Sequence, residues 1–137
     1  MNATESQVEQ NILAVKCGYE AFARRDPAAL HALMHESVEW HGGGGPNGVG
    51  SAHYIGRDAV LEYLGNLVAE TQGTMQTEAT AYAGTGDLVF VRDRTTSQRA
   101  GRHSEIEEVL VFTVVGGQVR RIDVFLQNFD QYQAFWS

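Results

Sequence analysis

The chain has 137 residues, 43% of them hydrophobic, which is enough for one domain with a sizeable core. Its ten basic and seventeen acidic residues give a formal charge of −7, which argues against nucleic acid or an anionic membrane surface as a partner. No apolar run approaches the roughly 20 residues that a membrane-spanning helix needs, and the polar start lacks the pattern of a signal peptide. Since the single cysteine can form no disulfide within the chain, we expect a cytoplasmic protein.

The first half of the chain has the pattern of three helices. Asp26-Pro27 is typical of the start of a second, short helix, because aspartate caps a helix and proline fits its first position. A brief strand is predicted over residues 37–41, and a third helix begins near Asp58. The first helix is predicted by apolar residues spaced four and three apart, which form one stripe: Val8, Ile12, Val15, Tyr19 and Phe22.

A glycine-rich segment lies between the predicted strand and the third helix. Six of the residues 41–50 are glycine, which brings no side chain to a core and loses the most backbone entropy on ordering. With Trp40 and His41 before it and His53 and Tyr54 after it, the segment is interpreted as a mobile lid over a pocket. It lacks the Gly-Lys-Ser/Thr ending of a phosphate-binding loop, so a nucleotide site is not expected.

From Thr74 onward the residues favour β-structure. The segments 75–83, 87–98, 104–115 and 118–127 are rich in Val, Phe, Thr and Tyr and are separated by short turn signals. Four strands with such short connections form an antiparallel meander, and residues 129–136 have the spacing of a closing helical turn. Helices followed by a meander indicate one α+β domain over residues 1–137, with a pocket between the helices and a curved sheet.

Four segments resemble one superfamily in the same order. They are residues 19–30, with aromatic Tyr19 and Phe22 before an Asp-Pro-Ala-Ala-Leu ending, residues 35–40, which end in Val38-Glu39-Trp40, residues 56–60 and residues 116–122. The chain resembles the SnoaL-like branch of the nuclear-transport-factor-2-like superfamily, which is similar to polyketide cyclases, ketosteroid isomerases and limonene epoxide hydrolases. The resemblance implies a cone-shaped α+β barrel, with three N-terminal helices packed on a strongly curved, mainly antiparallel sheet. It also implies an apolar pocket for a hydrophobic small molecule, chemistry without a cofactor, and a homodimer that packs through the sheet.

Two residues of the first half are candidate catalytic groups. The resemblance puts His41 about where ketosteroid isomerases keep their catalytic aspartate, and histidine can take a proton from an acidified carbon as a general base. The alternative is a histidine that is merely hydrogen-bonded at a strand end. Tyr19 lies close to the position of the isomerases' oxyanion tyrosine, and the alternative for it is simple packing in the core.

Two residues of the second half complete the candidate catalytic set. Asp123 shares a strand face with Phe125, and in a pocket its carboxyl could act as an acid or a base. If that face is solvent or dimer surface, Asp123 is an ordinary charge. Arg92 with Asp123 could form half of the Arg–Asp arrangement that epoxide hydrolases of this superfamily use on water, whereas alternating Arg92 and Arg94 are also typical of a solvated or interface face.

The remaining expectations concern the pocket wall and metals. Glu105, Glu107 and Glu108 begin the third long strand, and one of them is expected to enter the pocket unless this strand start is exposed. Glu108 is the one that shares a strand face with Leu110. No metal site is expected, because His41, His53 and His103 lie far apart in the sequence, without the spacing of metal ligands. The pocket is expected to be lined by Trp40, Phe22, Tyr54, Tyr63, Phe125, His53 and Glu108.

Two functions agree with this sequence. The first is a cofactor-independent acid–base enzyme, of the isomerase, cyclase or hydrolase type, acting on a hydrophobic carbonyl-bearing or cyclic substrate. The second is a non-catalytic ligand-binding or dimeric scaffold module of the same fold. Convergence of His41, Asp123 and Tyr19 on one empty volume would favour the enzyme, and charges scattered outside the pocket would favour the binding module.

Overall fold

The computed structural model describes residues 4–45 and 52–137. The glycine-rich segment from residue 46 to residue 50 lies outside the described residues, and so does the prediction of a lid there. Within the described part of the chain, no helix is long and apolar enough to cross a membrane. In chain order the elements are α1 (Glu5–Ala23), α2 (Pro27–Leu33), β1 (Met34–Gly42), β2 (His53–Ile55), α3 (Arg57–Glu70), β3 (Gln76–Thr85), β4 (Leu88–Arg99), β5 (Arg102–Val115), β6 (Gln118–Leu126) and α4 (Phe129–Trp136).

The six strands form one open, mixed sheet in the order β2-β1-β6-β5-β4-β3. The meander from β3 to β6 is antiparallel, as predicted, and β2 pairs with β1 in an antiparallel register. The pairing of β1 with β6 is parallel, which places the first long strand beside the last one. The α+β fold is therefore confirmed, with β2 and a full helix α4 added to the predicted elements.

Helix boundaries follow from their caps. The side chain of Thr4 accepts a hydrogen bond from the backbone N–H of Gln7, so α1 begins at Glu5. The carboxylate of Asp26 accepts a hydrogen bond from the backbone N–H of Ala29, and Pro27 occupies the first helical position, as the sequence predicts. These caps fix where the two N-terminal helices start.

One face of the sheet carries the core and the other faces outward. Along β4 the side chains of Val89, Val91 and Asp93 are buried, whereas those of Phe90 and Arg92 point outward. The inward side chains pack beneath α1, α2 and α3 in one apolar cluster that includes Val15, Val38, Val60, Leu110 and Ile122. A second cluster joins α3 to α4, so the helices cover the inner face only.

The start of the glycine-rich segment passes unusually close to its neighbours. Gly42 has a φ of 98°, and a Cβ at this position would overlap the backbone carbonyl oxygen of Val124 on β6. Gly45 also has a positive φ, and a Cβ there would overlap the indole ring of Trp136. Glycine is therefore required at Gly42, where β1 ends against β6, and at Gly45, where Trp136 of α4 packs against the backbone.

Candidate functional site

A cavity lies between the inner face of the sheet and the helices. Its volume is about 120 Å³, several times the roughly 10–15 Å³ that a cavity needs to hold one water molecule. Most of its wall is apolar, contributed by side chains from α1, α2, α3 and the inner sides of the strands. The hydroxyl and carboxyl groups in the wall belong to Tyr19, Tyr63, Thr77, Asp93, Thr95, Glu108 and Tyr132.

Two carboxyl groups meet in this wall. Asp93 on β4 and Glu108 on β5 are directly opposite each other in the antiparallel register. The side chain of Asp93 is 1% exposed. Glu108 retains some exposed surface, since it borders the cavity, but protein atoms surround its carboxyl group. Two carboxylates this close in a poorly solvated place cannot both be ionised without a large cost, so they share one proton.

The surroundings favour Glu108 as the protonated member of this pair. Burial raises the pKa of Glu108 well above its usual value, and the neighbouring Asp93 raises it further. Burial also raises the pKa of Asp93, but hydrogen bonds from Glu108 and Tyr19 oppose that rise. These shifts favour Asp93 as the carboxylate and Glu108 as the carboxylic acid of the pair.

Tyr19 holds the carboxylate from the helix side. Its hydroxyl donates to Asp93 Oδ2 across 2.7 Å, which ties α1 to β4. Burial, followed by the charge of Asp93, raises the pKa of Tyr19 far above its usual value, so the phenol stays protonated. The other oxygen, Asp93 Oδ1, is buried and receives no hydrogen bond from the side chains and backbone of residues 4–45 and 52–137. This oxygen is left to accept a proton from the neighbouring Glu108 or from a bound molecule.

A pair of threonines continues the chain of hydrogen bonds. The Thr95 hydroxyl donates to Glu108 Oε1 across 3.1 Å, and the hydroxyls of Thr77 and Thr95 are 2.9 Å apart. The connected groups thus run from β3 through Thr95, Glu108 and Asp93 to Tyr19 on α1. A base with a free oxygen next to a carboxylic acid can accept a proton and donate one at neighbouring positions of a bound molecule.

Aromatic rings close the other side of the cavity. Trp40 and Tyr63 line it with their ring centroids 5.4 Å apart, and the Tyr63 hydroxyl donates to the carbonyl oxygen of Gly44 across 2.9 Å. Gly43 and Gly44 themselves border the cavity. The beginning of the glycine-rich segment is therefore part of the cavity wall.

The predicted site residues separate into two groups. Tyr19, Phe22, Trp40, Tyr63 and Glu108 line the cavity, as the sequence interpretation placed them. Whether Tyr19 has a catalytic role stays a prediction.

The placement of the other predicted residues needs correction. His41, Asp123 and Arg92 do not converge with Tyr19, because strand alternation points their side chains to the outer face of the sheet. Phe125 is on that face too and is 60% exposed, and His53 is exposed on β2. Tyr54 lies on the inner side of the sheet but does not line the cavity. Its ring stacks on that of Tyr63, with centroids 4.7 Å apart.

On the outer face these residues have other partners. Arg92 pairs with Glu107, with 2.6 Å between Arg92 Nη2 and Glu107 Oε2. Asp123 accepts hydrogen bonds from Arg121, its neighbour on the same strand face. His41 Nε2 is 3.0 Å from Glu39 Oε1, and its ring lies against that of His53, with centroids 4.3 Å apart. His41 and His53 are far apart in the sequence, but the pairing of β1 with β2 puts them opposite each other.

Asp93 is the central group that the sequence interpretation missed. Alternation along the strand places Asp93 on the face opposite the arginines, and this is the feature of the sequence that could have identified it. A carboxylate between two arginines in sequence suggests an exposed ion pair, and only the register with Glu108 shows the buried acidic pair.

Comparison with known families settles the relationship. The family model for the SnoaL-like domain matches residues 15–122, which include the second half of α1, the whole sheet apart from the last residues of β6, and the paired carboxyl groups. The chain belongs to the SnoaL-like family. The resemblance to the SnoaL-like proteins is thereby confirmed.

Individual SnoaL-like and related proteins match over nearly their whole length. The uncharacterised protein Rv0034 of Mycobacterium tuberculosis is 30% identical over 124 residues, covering 90% of this chain and 93% of that protein. Bal32a, from a soil-derived mobile gene cassette, superposes with a TM-score of 0.88 at 27% identity over 95% of this chain and 98% of its own. A putative SnoaL-like polyketide cyclase from Jannaschia sp. CCS1 shares the fold, with a TM-score of 0.80 at 15% identity and coverage of 98% and 97%.

Proposed function

We propose that this SnoaL-like protein is a cofactor-independent acid–base enzyme that moves a proton on a hydrophobic, carbonyl-bearing small molecule. The observation that carries the proposal is the Asp93–Glu108 pair, which holds one proton in the wall of an otherwise mostly apolar cavity. The apolar wall favours a hydrophobic substrate, and the pair supplies both a base and an acid.

Each group has a defined part in the proposed reaction. The free Oδ1 of Asp93 takes a proton from the carbon next to the substrate carbonyl, and the C–H electrons form the carbon–carbon double bond of an enol. The carboxylic acid of Glu108 turns from Asp93 to the carbonyl oxygen and donates its proton there as negative charge develops. Tyr19 is a positioning residue, because its hydroxyl fixes Asp93 Oδ2. Return of the proton from Asp93 to another carbon would complete an isomerisation. In a cyclisation, the enol carbon would instead bond to a second carbonyl carbon of the same molecule, whose oxygen would take the proton from Asp93.

Hydrogen–deuterium exchange tests this reaction without knowledge of the natural substrate. Cyclic ketones from cyclohexenone to 2-tetralone are incubated with the protein in D₂O, and loss of the α-proton signals is followed by NMR. We expect exchange above the buffer rate for at least one ketone. Since general-base catalysis contributes roughly 10²–10⁴-fold, Asp93→Asn should reduce the enzymatic rate by about 100-fold or more.

The chain offers a matched control for the acid. Glu107 and Glu108 are neighbours on β5 with side chains on opposite faces. Glu108→Gln should lower the exchange rate, whereas Glu107→Gln, which changes only an exposed ion pair with Arg92, should leave it unchanged. Equal effects of both substitutions would contradict the assignment of Glu108.

The same experiment distinguishes enzyme from binding module. Trp40 lines the cavity, so its fluorescence reports occupancy. A ketone that changes this fluorescence but exchanges no faster than in buffer would overturn the enzyme proposal in favour of a non-catalytic ligand-binding module. Absence of both binding and exchange across the series would refute the carbonyl-bearing substrate class.

We also propose a homodimer formed through the outer face of the sheet. Phe90, Val109 and Phe125 are 36%, 41% and 60% exposed there, and the strand registers place them around Val111 in one patch. Light scattering after size exclusion should give twice the mass of 15.0 kDa. Phe125→Glu should give the monomer mass, and a wild-type monomer at high micromolar concentration would refute the dimer.

A further inference from the structure

A second cluster of chemically active groups lies on the opposite face of the sheet from the cavity. Glu39 and His41 are two residues apart on β1, so their side chains share the outer face. His53 on β2 is directly opposite His41 in the antiparallel register. The proposed reaction in the cavity makes no use of these three residues.

The cluster has the composition and geometry of a metal-binding triad. One ligand atom from each of Glu39, His41 and His53 lies within 4.8 Å of the other two. A tetrahedral Zn²⁺ holds neighbouring ligand atoms about 3.3 Å apart, a distance that small side-chain rotations can reach here. His41 Nε2 and Glu39 Oε1 are already 3.0 Å apart, and His53 is exposed.

The charges around the cluster favour a cation. Arg121 lies opposite Glu39 across the β1–β6 pairing and would compete with a metal for it. However, Asp123 binds the Arg121 guanidinium, with 3.0 Å between Arg121 Nε and Asp123 Oδ2. The carboxylate of Glu39 is left to balance a bound cation.

We infer that Glu39, His41 and His53 form a surface site for a divalent transition-metal ion, of which Zn²⁺ is the best fit. Two imidazoles with one carboxylate suit Zn²⁺ and its neighbours, whereas Ca²⁺ and Mg²⁺ require mostly oxygen ligands. The exposed side of His53 leaves room for water or another donor at a fourth position. The site joins β1 to the short strand β2, beside the glycine-rich segment.

Titration of the intact protein with metal tests the site. After treatment with EDTA and buffer exchange, the protein is titrated with Zn²⁺ by calorimetry at pH 7.5, and with Co²⁺ by visible absorption. We expect one ion per chain, with Co²⁺ bands typical of nitrogen and oxygen ligands. His41→Ala, His53→Ala and Glu39→Gln should each weaken binding at least tenfold, because even the loss of an outer-shell partner of a metal ligand costs 10–100-fold.

The control is another histidine of the same strand. His35 on β1 is hydrogen-bonded to Ser37 and lies away from the triad, so His35→Ala should bind Zn²⁺ as the wild type does. Circular dichroism without metal verifies that all variants are folded. No Zn²⁺ binding below about 100 μM, or equal binding by wild type, His41→Ala and His53→Ala, would overturn the inference. Equal affinity for Ca²⁺ would also overturn it, since that would indicate general attraction of cations by an acidic protein.

Discussion

Glu108→Gln gives the most direct test of the shared proton. An uncharged amide resembles a protonated carboxyl group in shape and charge. If Glu108 is protonated in the folded protein, the variant keeps the charge of the wild-type site at neutral pH. It also removes one group whose pKa differs between the folded and unfolded states, so the pH dependence of stability should change.

The sign and size of this change follow from proton linkage. The pKa of Glu108 in the folded protein is raised above its usual 4.5, which applies to the unfolded chain. Between the usual pKa and the raised pKa, the folded protein keeps a proton that the unfolded chain has lost. The free energy of unfolding of the wild type therefore falls as pH rises through this window, by about 1.4 kcal/mol per pH unit for one proton. The stabilisation by this group is complete below pH 4.5 and is lost as pH passes its raised pKa.

Urea denaturation at constant ionic strength from pH 4.5 to pH 9 measures this effect. The free energy of unfolding of Glu108→Gln minus that of the wild type should rise by about 1.4 kcal/mol per pH unit and then level off. The level-off point gives the pKa of Glu108 in the folded state. Glu107→Gln, on the outer face, should give a nearly flat difference over the same range. A flat difference for Glu108→Gln would refute the shared proton.

Two further substitutions test the supports of the site. Tyr19→Phe removes the hydroxyl that donates to Asp93 and should lower the free energy of unfolding by about 1–3 kcal/mol. It should also raise the pKa of Asp93 measured by carboxyl ¹³C NMR, and an unchanged pKa would contradict the hydrogen bond. Gly42→Ala should destabilise more than Gly56→Ala by at least about 1 kcal/mol. Both glycines have φ near 98°, but only at Gly42 would a Cβ overlap the Val124 carbonyl oxygen; equal urea midpoints would argue against this contact.

Local patterns were sufficient for most of the elements. The cap at Asp26, the apolar stripe of α1 and the alternation in β4 to β6 act over a few residues, so they are visible in the sequence. The same alternation put Glu108 with Leu110 and separated Asp93 from Arg92. What alternation cannot give is which of two faces is the inner one, because that depends on where the helices pack.

Contacts between distant parts of the chain decided the site. The parallel pairing of β1 with β6 turns Trp40 into the cavity and His41 out of it, and neither strand carries a local signal of that pairing. The short β2 likewise becomes a strand only beside β1, where it brings His53 to His41. The sequence by itself determined the family, most of the elements and the side chains that share each strand face. Only the tertiary structure joined Asp93 to Glu108 and to Tyr19, because strand register is set by packing across the whole sheet.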